Sequence, residues 1–475
     1  MPTEAPAACG AFPLDIGRSL PEPHAMHILL LMPDARMHKF HLGRRVWSLR
    51  EAPLTLTTLA GLTAGEPDVT YQLVDGSVEN IPLDATPDLV GISVITGNAP
   101  RAYALADHFR NRGIPVVLGG VHVTLLPDEA AAHADAIVLG MAETTWPEVV
   151  RDARAGTLKR VYQAPPPAAG VLHVPPPRRE LQTTRYAMPA TAQATRGCNH
   201  RCEFCVVPAI WPKFYTRPVA DVVRDIRALP GKRFALNDVS LLEDREYALE
   251  LFTALIPLRK EWGGLCTIDI GRDPELLDLL ARSGCKYLLI GFESLSSKGL
   301  ASIRKSFNNA DQYRAVVAAL HAHGISVQAC FVLGLDTDTT AVFADTVDWV
   351  NEARIDIPRY SLYTAFPGTP LFRKLEAQGR ILSYNWDDYD TMHVTVKPQL
   401  MTPAELHEGF RWTYRETFRL RSILRRSRGC SVNTLINLIG NGAYRLFVRR
   451  LYHDERFAQP CRPDAPPPAP VSCPA

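Results

Sequence analysis

Short apolar runs that alternate with helix-length segments constrain this chain more than any other feature. HILLLM (27–32), a run ending at Val74, DLVGISVI (88–95), PVVLGG (115–120) and DAIVLG (135–140) are spaced by stretches such as 99–112 and 143–155. Runs apolar on both faces are strands covered on both sides, and strands alternating with helices make a parallel sheet. Five such strands predict an α/β, doubly wound, Rossmann-like domain over 26–163. QAPPPAAG and HVPPPRRE then carry two proline triplets, which fit neither a helix interior nor a sheet interior. They predict a linker over 164–189.

A second series follows. Candidate strands are 190–195, 233–238, 264–270, 286–292, 325–333 and 357–364. Candidate helices are 217–229, 244–259, 273–282, 309–323 and 338–353. Six βα units are fewer than the eight of a closed barrel, so a partial (β/α)6 barrel is expected over 190–400. Residues 401–458 read as a helical C-terminal region. The Pro/Ala-rich ends, 1–25 and 459–475, read as a loose tail and a disordered tail.

Composition excludes several classes. With 52 Lys+Arg against 50 Asp+Glu the net charge is only +2, so no nucleic-acid partner is expected. At 46% hydrophobic and 21% charged residues, the chain is no disordered polyampholyte. No apolar run reaches a bilayer-spanning length, and the N-terminus lacks the pattern of a secretory signal. Ten cysteines in 475 residues are too sparse for a disulfide scaffold. The expected setting is cytoplasmic and reducing, where clustered cysteines bind metal.

Three of those cysteines do cluster. Cys198, Cys202 and Cys205 have the spacing C-x3-C-x2-C directly after the first strand of the second series. Three thiolates on one loop suit three irons of a cubane cluster and leave the fourth iron open. Zinc needs a fourth ligand, for which His200 is poorly placed. Three unrelated cysteines are the remaining alternative. Cys266, Cys285 and Cys330 lie in or beside strands, as small buried residues do.

With Phe204 before the last cysteine, this loop resembles that of the radical S-adenosylmethionine (SAM) superfamily. The resemblance implies a [4Fe–4S] cluster whose open iron holds SAM and cleaves it to a 5′-deoxyadenosyl radical. It implies SAM contacts at Phe204, at Glu293 and Ser294 in YLLIGFESL (287–295), and at Gln328 in ISVQACFVLGLDTD (325–338). Where many members carry a Gly-Gly-Glu-like motif, this chain has FALNDVSLL (234–242), with Asn237 and Asp238 as the substitutes at the SAM amino group. AFPGTP (365–370) and NWDDYD (385–390) resemble further subgroup signatures.

An open parallel sheet binds ligands at its carboxyl ends. Here those loops read MPDARMH (32–38), ITGNAP (95–100), GGVHVTLLP (119–127) and GMAETTWP (140–147). Small residues let a bulky flat ligand approach. No G-x-G-x-x-G follows the first strand, which weakens a nicotinamide reading. Joined to the cysteine motif, these loops resemble the cobalamin-binding class of radical SAM enzymes, similar to the anaerobic Mg-protoporphyrin monomethyl ester cyclase-like and C-methyltransferase subgroup. The resemblance implies cobalamin contacts at Thr96, Gly97, Gly119, Gly120, His122, Gly140 and Glu143. D-x-H-x-x-G is absent, and His38 and His41 lack its spacing, so cobalamin is expected without a histidine ligand.

The implied chemistry is methylation of an unactivated carbon of a small-molecule, lipid or pigment-type substrate. The runner-up is an oxidative cyclase or ring-rearranging enzyme, and a cobalamin carrier needs no cluster. Hydrogen-atom abstraction calls for no catalytic side chain acting as a base. An electron donor such as flavodoxin or ferredoxin is implied. Arg411, Arg415, Arg419, Arg421, Arg425, Arg426 and Arg428 crowd the C-terminal region, followed by Arg445, Arg449 and Arg450. They read as a solvated face of helices packed on the barrel, or as a peripheral membrane contact.

Overall fold

The computed structural model describes residues 25–34, 40–42, 45–66, 68–167, 170–427 and 433–453. Apart from Ala25, the two expected tails lie outside the described residues. The first sheet contains β1 (Met26–Met32), β2 (Val69–Asp75), β3 (Leu89–Ser93), β4 (Val116–Gly119), β5 (Ala136–Leu139) and β6 (Val161–Gln163). They run parallel in the order β2-β1-β3-β4-β5-β6. On one face Leu29, Leu31, Val90 and Ile92 pack with Ala102, Ala106 and Phe109 of the helix Ala99–Arg110. On the other, Ile28, Leu30 and Leu89 pack with Leu56 of Thr55–Leu62 and Trp146 of Thr145–Ala155. Each such aliphatic side chain contributes roughly 1.5–3 kcal/mol by leaving water. The sequence signalled five strands. The sixth, β6, is a three-residue edge strand that buries only Tyr162 and so lacks an apolar run.

The second sheet contains β7 (Thr191–Ala192), β8 (Arg233–Leu236), β9 (Glu261–Cys266), β10 (Cys285–Glu293), β11 (Ser326–Leu333) and β12 (Ile357–Leu362). All are parallel and lie in chain order, and β7 does not pair with β12. This is the expected partial barrel, open on one side. The third strand sits earlier than the expected 264–270, because Ile268–Arg272 winds into a 3-10 turn. Leu288, Ile290 and Phe292 of β10, with Val327, Ala329 and Phe331 of β11, belong to the core beneath the outer helices. Alternation turns Tyr287, Leu289 and Gly291 to the interior.

The expected linker is tied down. Within it, Tyr186–Met188 pairs in parallel with the strand Arg45–Glu51 of the N-terminal half. The Ala52 carbonyl accepts hydrogen bonds from Thr191 Oγ1 (3.0 Å) and Asn237 Nδ2 (3.1 Å). Residues 50–52 therefore stand beside β7 and β8, at the open side of the barrel.

Three helices follow, Pro403–Thr417, Leu420–Ser427 and Thr434–His453. The last one floors the barrel. Asn433 Nδ2 donates to the Lys286 carbonyl (2.8 Å), Asn437 Nδ2 to Ser326 Oγ (3.1 Å) and Asp356 Oδ1 (2.6 Å), and Asn441 Nδ2 to the Asp356 carbonyl (2.9 Å). A spacing of four keeps the three amides in one line. They satisfy polar groups at the N-terminal ends of β10, β11 and β12. The arginine-rich stretch divides. Arg421 and Arg425 are exposed, but Arg426 is buried and donates to the Thr417 carbonyl (2.7 Å) and Asn441 Oδ1 (2.7 Å). Burial lowers its pKa to about 10, which still leaves it charged at neutral pH. Asn437→Ala should cost about 1–3 kcal/mol by orphaning the groups it bonds. Urea unfolding measures this, and an unchanged midpoint contradicts the role given to the asparagine line.

Candidate functional site

The cysteine loop starts at the end of a short strand, Thr195–Arg196, that pairs with Tyr215–Thr216. Gly197 has φ +85°, and a Cβ there would run into the Lys213 carbonyl, so only glycine makes this bend. Backbone bonds hold the loop. Cys205 N–H donates to the Cys202 carbonyl (3.2 Å), Glu203 N–H to Ile303 (3.1 Å) and Leu371 N–H to Glu203 (3.3 Å). Arg201 ties it to the Pro212 carbonyl (2.8 Å). Phe204 packs among Ile303, Leu335, Tyr363 and Leu371.

All three thiols are free and half-buried. Burial pushes Cys198 up to about 12 and Cys202 up to about 11, and raises Cys205 as well. An incoming iron displaces those protons, so loading this loop releases acid. Among the described residues no group of three His, Cys, Asp or Glu side chains is arranged around a single ion position. The donor set fits an iron–sulfur cluster: three soft thiols spread along one rigid loop with no fourth protein ligand.

Two residues that the sequence reading passed over face this loop. Glu243 accepts from Cys198 Sγ (3.2 Å) and from the Asn199 N–H (2.8 Å). Lys305 Nζ pairs with Glu293 Oε1 at 2.7 Å. Burial opposes the charge on Lys305, but Glu293 and the thiols of Cys202 and Cys205 hold its pKa above 10.5. A lysine beyond the strand end carries no local sequence signal. Glu293 itself has φ +64°, a strained region for a residue with a side chain. Its carboxylate folds over Gly291, where any Cβ would strike it. Ser294 Oγ accepts from the Ser296 N–H (3.1 Å) beside it. The structure thus brings Glu293, Ser294 and Phe204 to the cysteine end of the barrel.

Asp238 and Gln328 are placed differently. Asp238, expected at the SAM amino group, is only 1% exposed. Its carboxylate accepts from the Ala194 N–H (3.0 Å), Thr195 Oγ1 (2.7 Å) and the Thr195 N–H. Its bonding capacity is spent on anchoring the chain that leads into the cysteine loop. Gln328 does face the barrel interior, but near its floor. Its amide accepts from Tyr287 OH and donates to Tyr444 OH (3.1 Å) of the flooring helix. It stands low on β11, away from the cysteine end.

At the first sheet, β1 and β3 are adjacent at the switch point. Gly119, Gly120, Gly140 and Glu143 are partly open at the strand ends, and nothing lies within 4 Å above Gly140. These small residues fit a flat, bulky ligand such as cobalamin. Three other expected contacts are closed off. His122 is 0% exposed, between Thr96 Oγ1 (3.2 Å) and Glu129 Oε1 (3.3 Å). Thr96 is buried with it, and Gly97 lies under the Tyr389 carbonyl. They lie at the contact with the NWDDYD segment. Trp386 Nε1 of the NWDDYD segment donates to Glu129 Oε1 (2.9 Å), and its ring meets His122 edge-on (5.6 Å). Arg196, two residues before Cys198, forms an ion pair with Glu143. The carboxyl ends of both sheets therefore face each other. His38 and the side chain of His41 lie outside the described residues.

Burial pushes the Asp238 carboxyl from 3.8 up to about 6, against the lowering effect of its hydrogen bonds. The folded chain then holds this proton more tightly than the unfolded chain. Stability from this group is complete below pH 3.8 and falls as pH rises to about 6. Asp238→Asn should flatten that fall. Urea midpoints at pH 4 and pH 6.5 test it, and equal slopes for both proteins contradict the assignment.

Residues 193–350 match the Radical SAM superfamily, and residues 68–150 match the B12 binding domain. The chain is 33% identical to a bacteriochlorophyllide d C-12(1)-methyltransferase of Chlorobaculum tepidum, over 84% of this chain and 90% of that one. It is 25% identical to an anaerobic magnesium-protoporphyrin IX monomethyl ester cyclase of Rubrivivax gelatinosus, over 84% and 78%. The fold matches that of the radical SAM methyltransferase TsrM from Kitasatospora setae, with a TM-score of 0.60 at 17% identity, over 81% and 85%. A paired sheet architecture, an intact cysteine triplet and this likeness along most of the chain make it a member of the cobalamin-dependent radical SAM methyltransferase family.

Proposed function

We propose that this methyltransferase methylates an unactivated carbon of a tetrapyrrole pigment. The observation that carries the reading is the opposition of the two sheet ends, locked by Arg196–Glu143 and Trp386–Glu129. It sets the cysteine loop across from the small-residue loops, as a reaction needing both ends at once requires. The pigment assignment draws on the Chlorobaculum relative, which acts on bacteriochlorophyllide d. The cyclase alternative draws on a lower identity.

Cys198, Cys202 and Cys205 would hold the [4Fe–4S] cluster, and Gly119, Gly120 and Gly140 would underlie cobalamin. When bound, these groups and SAM supply one-electron cleavage chemistry and a transferable methyl. The chain's own residues position and enclose. Glu293, held by Lys305, offers its carboxylate at the mouth of the barrel. Ser294 and Phe204 stand beside it at SAM. Asp238 and Glu243 keep the cysteine loop in place. The functional units we assign are 26–163 for cobalamin and 190–400 for the radical chemistry. A flavodoxin- or ferredoxin-type protein would supply electrons.

Among the described residues no helix is long and apolar enough to cross a membrane. The C-terminal helices nevertheless expose Leu420, Leu424, Leu435, Leu438, Ile439 and Leu446, near Arg421 and Arg425. That combination suits peripheral contact with an anionic lipid surface, from which an apolar pigment is drawn.

Three outcomes are expected. The reduced, reconstituted protein should move the label of methyl-labelled SAM onto bacteriochlorophyllide d. Cys198→Ala, Cys202→Ala or Cys205→Ala should each abolish SAM cleavage while the cobalamin absorption spectrum persists. SAM cleavage retained in a single mutant defeats the cluster assignment, and an unlabelled pigment defeats the substrate. In flotation with anionic vesicles at low salt the protein should rise with the lipid. Failure to float removes the membrane contact.

A further inference from the structure

Arg359 is the third residue of β12. Its neighbour Tyr360 packs outward, with its ring 5.1 Å from Tyr414 and 6.2 Å from Phe331. Alternation along the strand turns Arg359 to the barrel interior. Its side chain is exposed, with Tyr444, Cys330, Tyr414 and Tyr287 as its electrostatic neighbours. Strand alternation and these neighbours place it in the lumen of the open barrel, above the flooring helix. The Arg359 side chain makes no hydrogen bond or ion pair with any described residue.

The walls of this lumen explain its shape. Its floor is Tyr287, Gln328 and Tyr444, already joined to one another. Its open side is covered by residues 50–52, which Thr191 and Asn237 hold in place. From there Arg50 adds a second guanidinium within electrostatic reach of Arg359. Glu51 stands near Arg50 and the tyrosines. A guanidinium turned inward with no side-chain partner is a group that folding alone gives no reason to keep. In register Arg359 pairs with Cys330, and its neighbour Tyr360 with Phe331, which a bulge brings opposite Glu293. One residue along a strand is roughly 3.3 Å. The free charge thus lies one such step beneath the reaction end.

We infer that Arg359 binds a carboxylate of the substrate, so the lumen takes an acidic molecule and orients it by that group. This rests on the pigment reading and sharpens it: the substrate is the free acid, with its carboxylate pointing down and the carbon to be methylated pointing up. A guanidinium fork matches a carboxylate in two parallel hydrogen bonds, and enclosure strengthens them. The tyrosine walls supply apolar surface with polar tips for the body of the ligand.

The test uses bacteriochlorophyllide d and the methyl ester of its side-chain carboxylate, titrated by pigment fluorescence onto the reconstituted protein and onto Arg359→Met. Thermal midpoints and iron content control for folding. The acid should bind wild type about 10- to 100-fold tighter than it binds Arg359→Met. The ester should bind both alike, and Arg359→Lys should recover part of the loss. Equal binding of the acid to wild type and Arg359→Met overturns the inference and leaves the pigment reading standing. Binding of neither acid nor ester to wild type overturns both. SAM affinity measured on the same proteins separates the other carboxylate source. If Arg359→Met weakens SAM and spares the acid, the guanidinium serves the cofactor and the inference falls.

Discussion

A parallel sheet presents its loops for ligands at one end only, and this chain turns two such ends toward each other. Everything else in the architecture serves that opposition. Arg196 belongs to the approach to the cysteine loop, and Glu143 to the last strand-end loop of the first sheet. At a second contact Trp386 reaches Glu129, which in turn holds His122. These bonds are polar and mostly sheltered, where hydrogen bonds are electrostatically stronger than in water. They fix orientation, while the two separate cores supply the bulk of the stability.

The same region concentrates features that folding alone does not favour. Glu293 keeps a left-handed backbone, and Asp238 keeps a buried carboxyl whose proton is hard to lose. Arg359 faces the barrel interior with no side-chain partner among the described residues. Elsewhere the packing is ordinary: apolar strands under amphipathic helices, and asparagines satisfying strand ends. Local strain and unspent charge collect where ligands bind because only there does something offset them. The flooring helix shows the contrast. Asn433, Asn437 and Asn441 satisfy groups on three strands and leave little unspent.

Both βα series, the partial barrel and the cysteine loop were legible because each is written in near neighbours. Apolar runs of four to eight residues, and three cysteines within eight positions, need no knowledge of distant partners. Less legible were β6, which is short and half polar, and Tyr186–Met188, whose pairing partner lies more than a hundred residues earlier. The proline triplets were rightly excluded from regular structure, but chain stiffness around them did not mean freedom from contacts.

Side-chain roles divided along the same line. Glu293 and Ser294 follow a strand end, a position that local pattern identifies, and the fold brings them to the cysteine end. Asp238, His122 and Gln328 looked equally polar in sequence, yet their partners turned out to be backbone amides, a docking carboxylate and two tyrosines. Strand, helix and cluster are decided by local composition and spacing, because the forces involved act within a few residues. Which polar group stays unspent, as Arg359 does, is decided by burial and register between strands far apart in the chain, and only the folded molecule sets those.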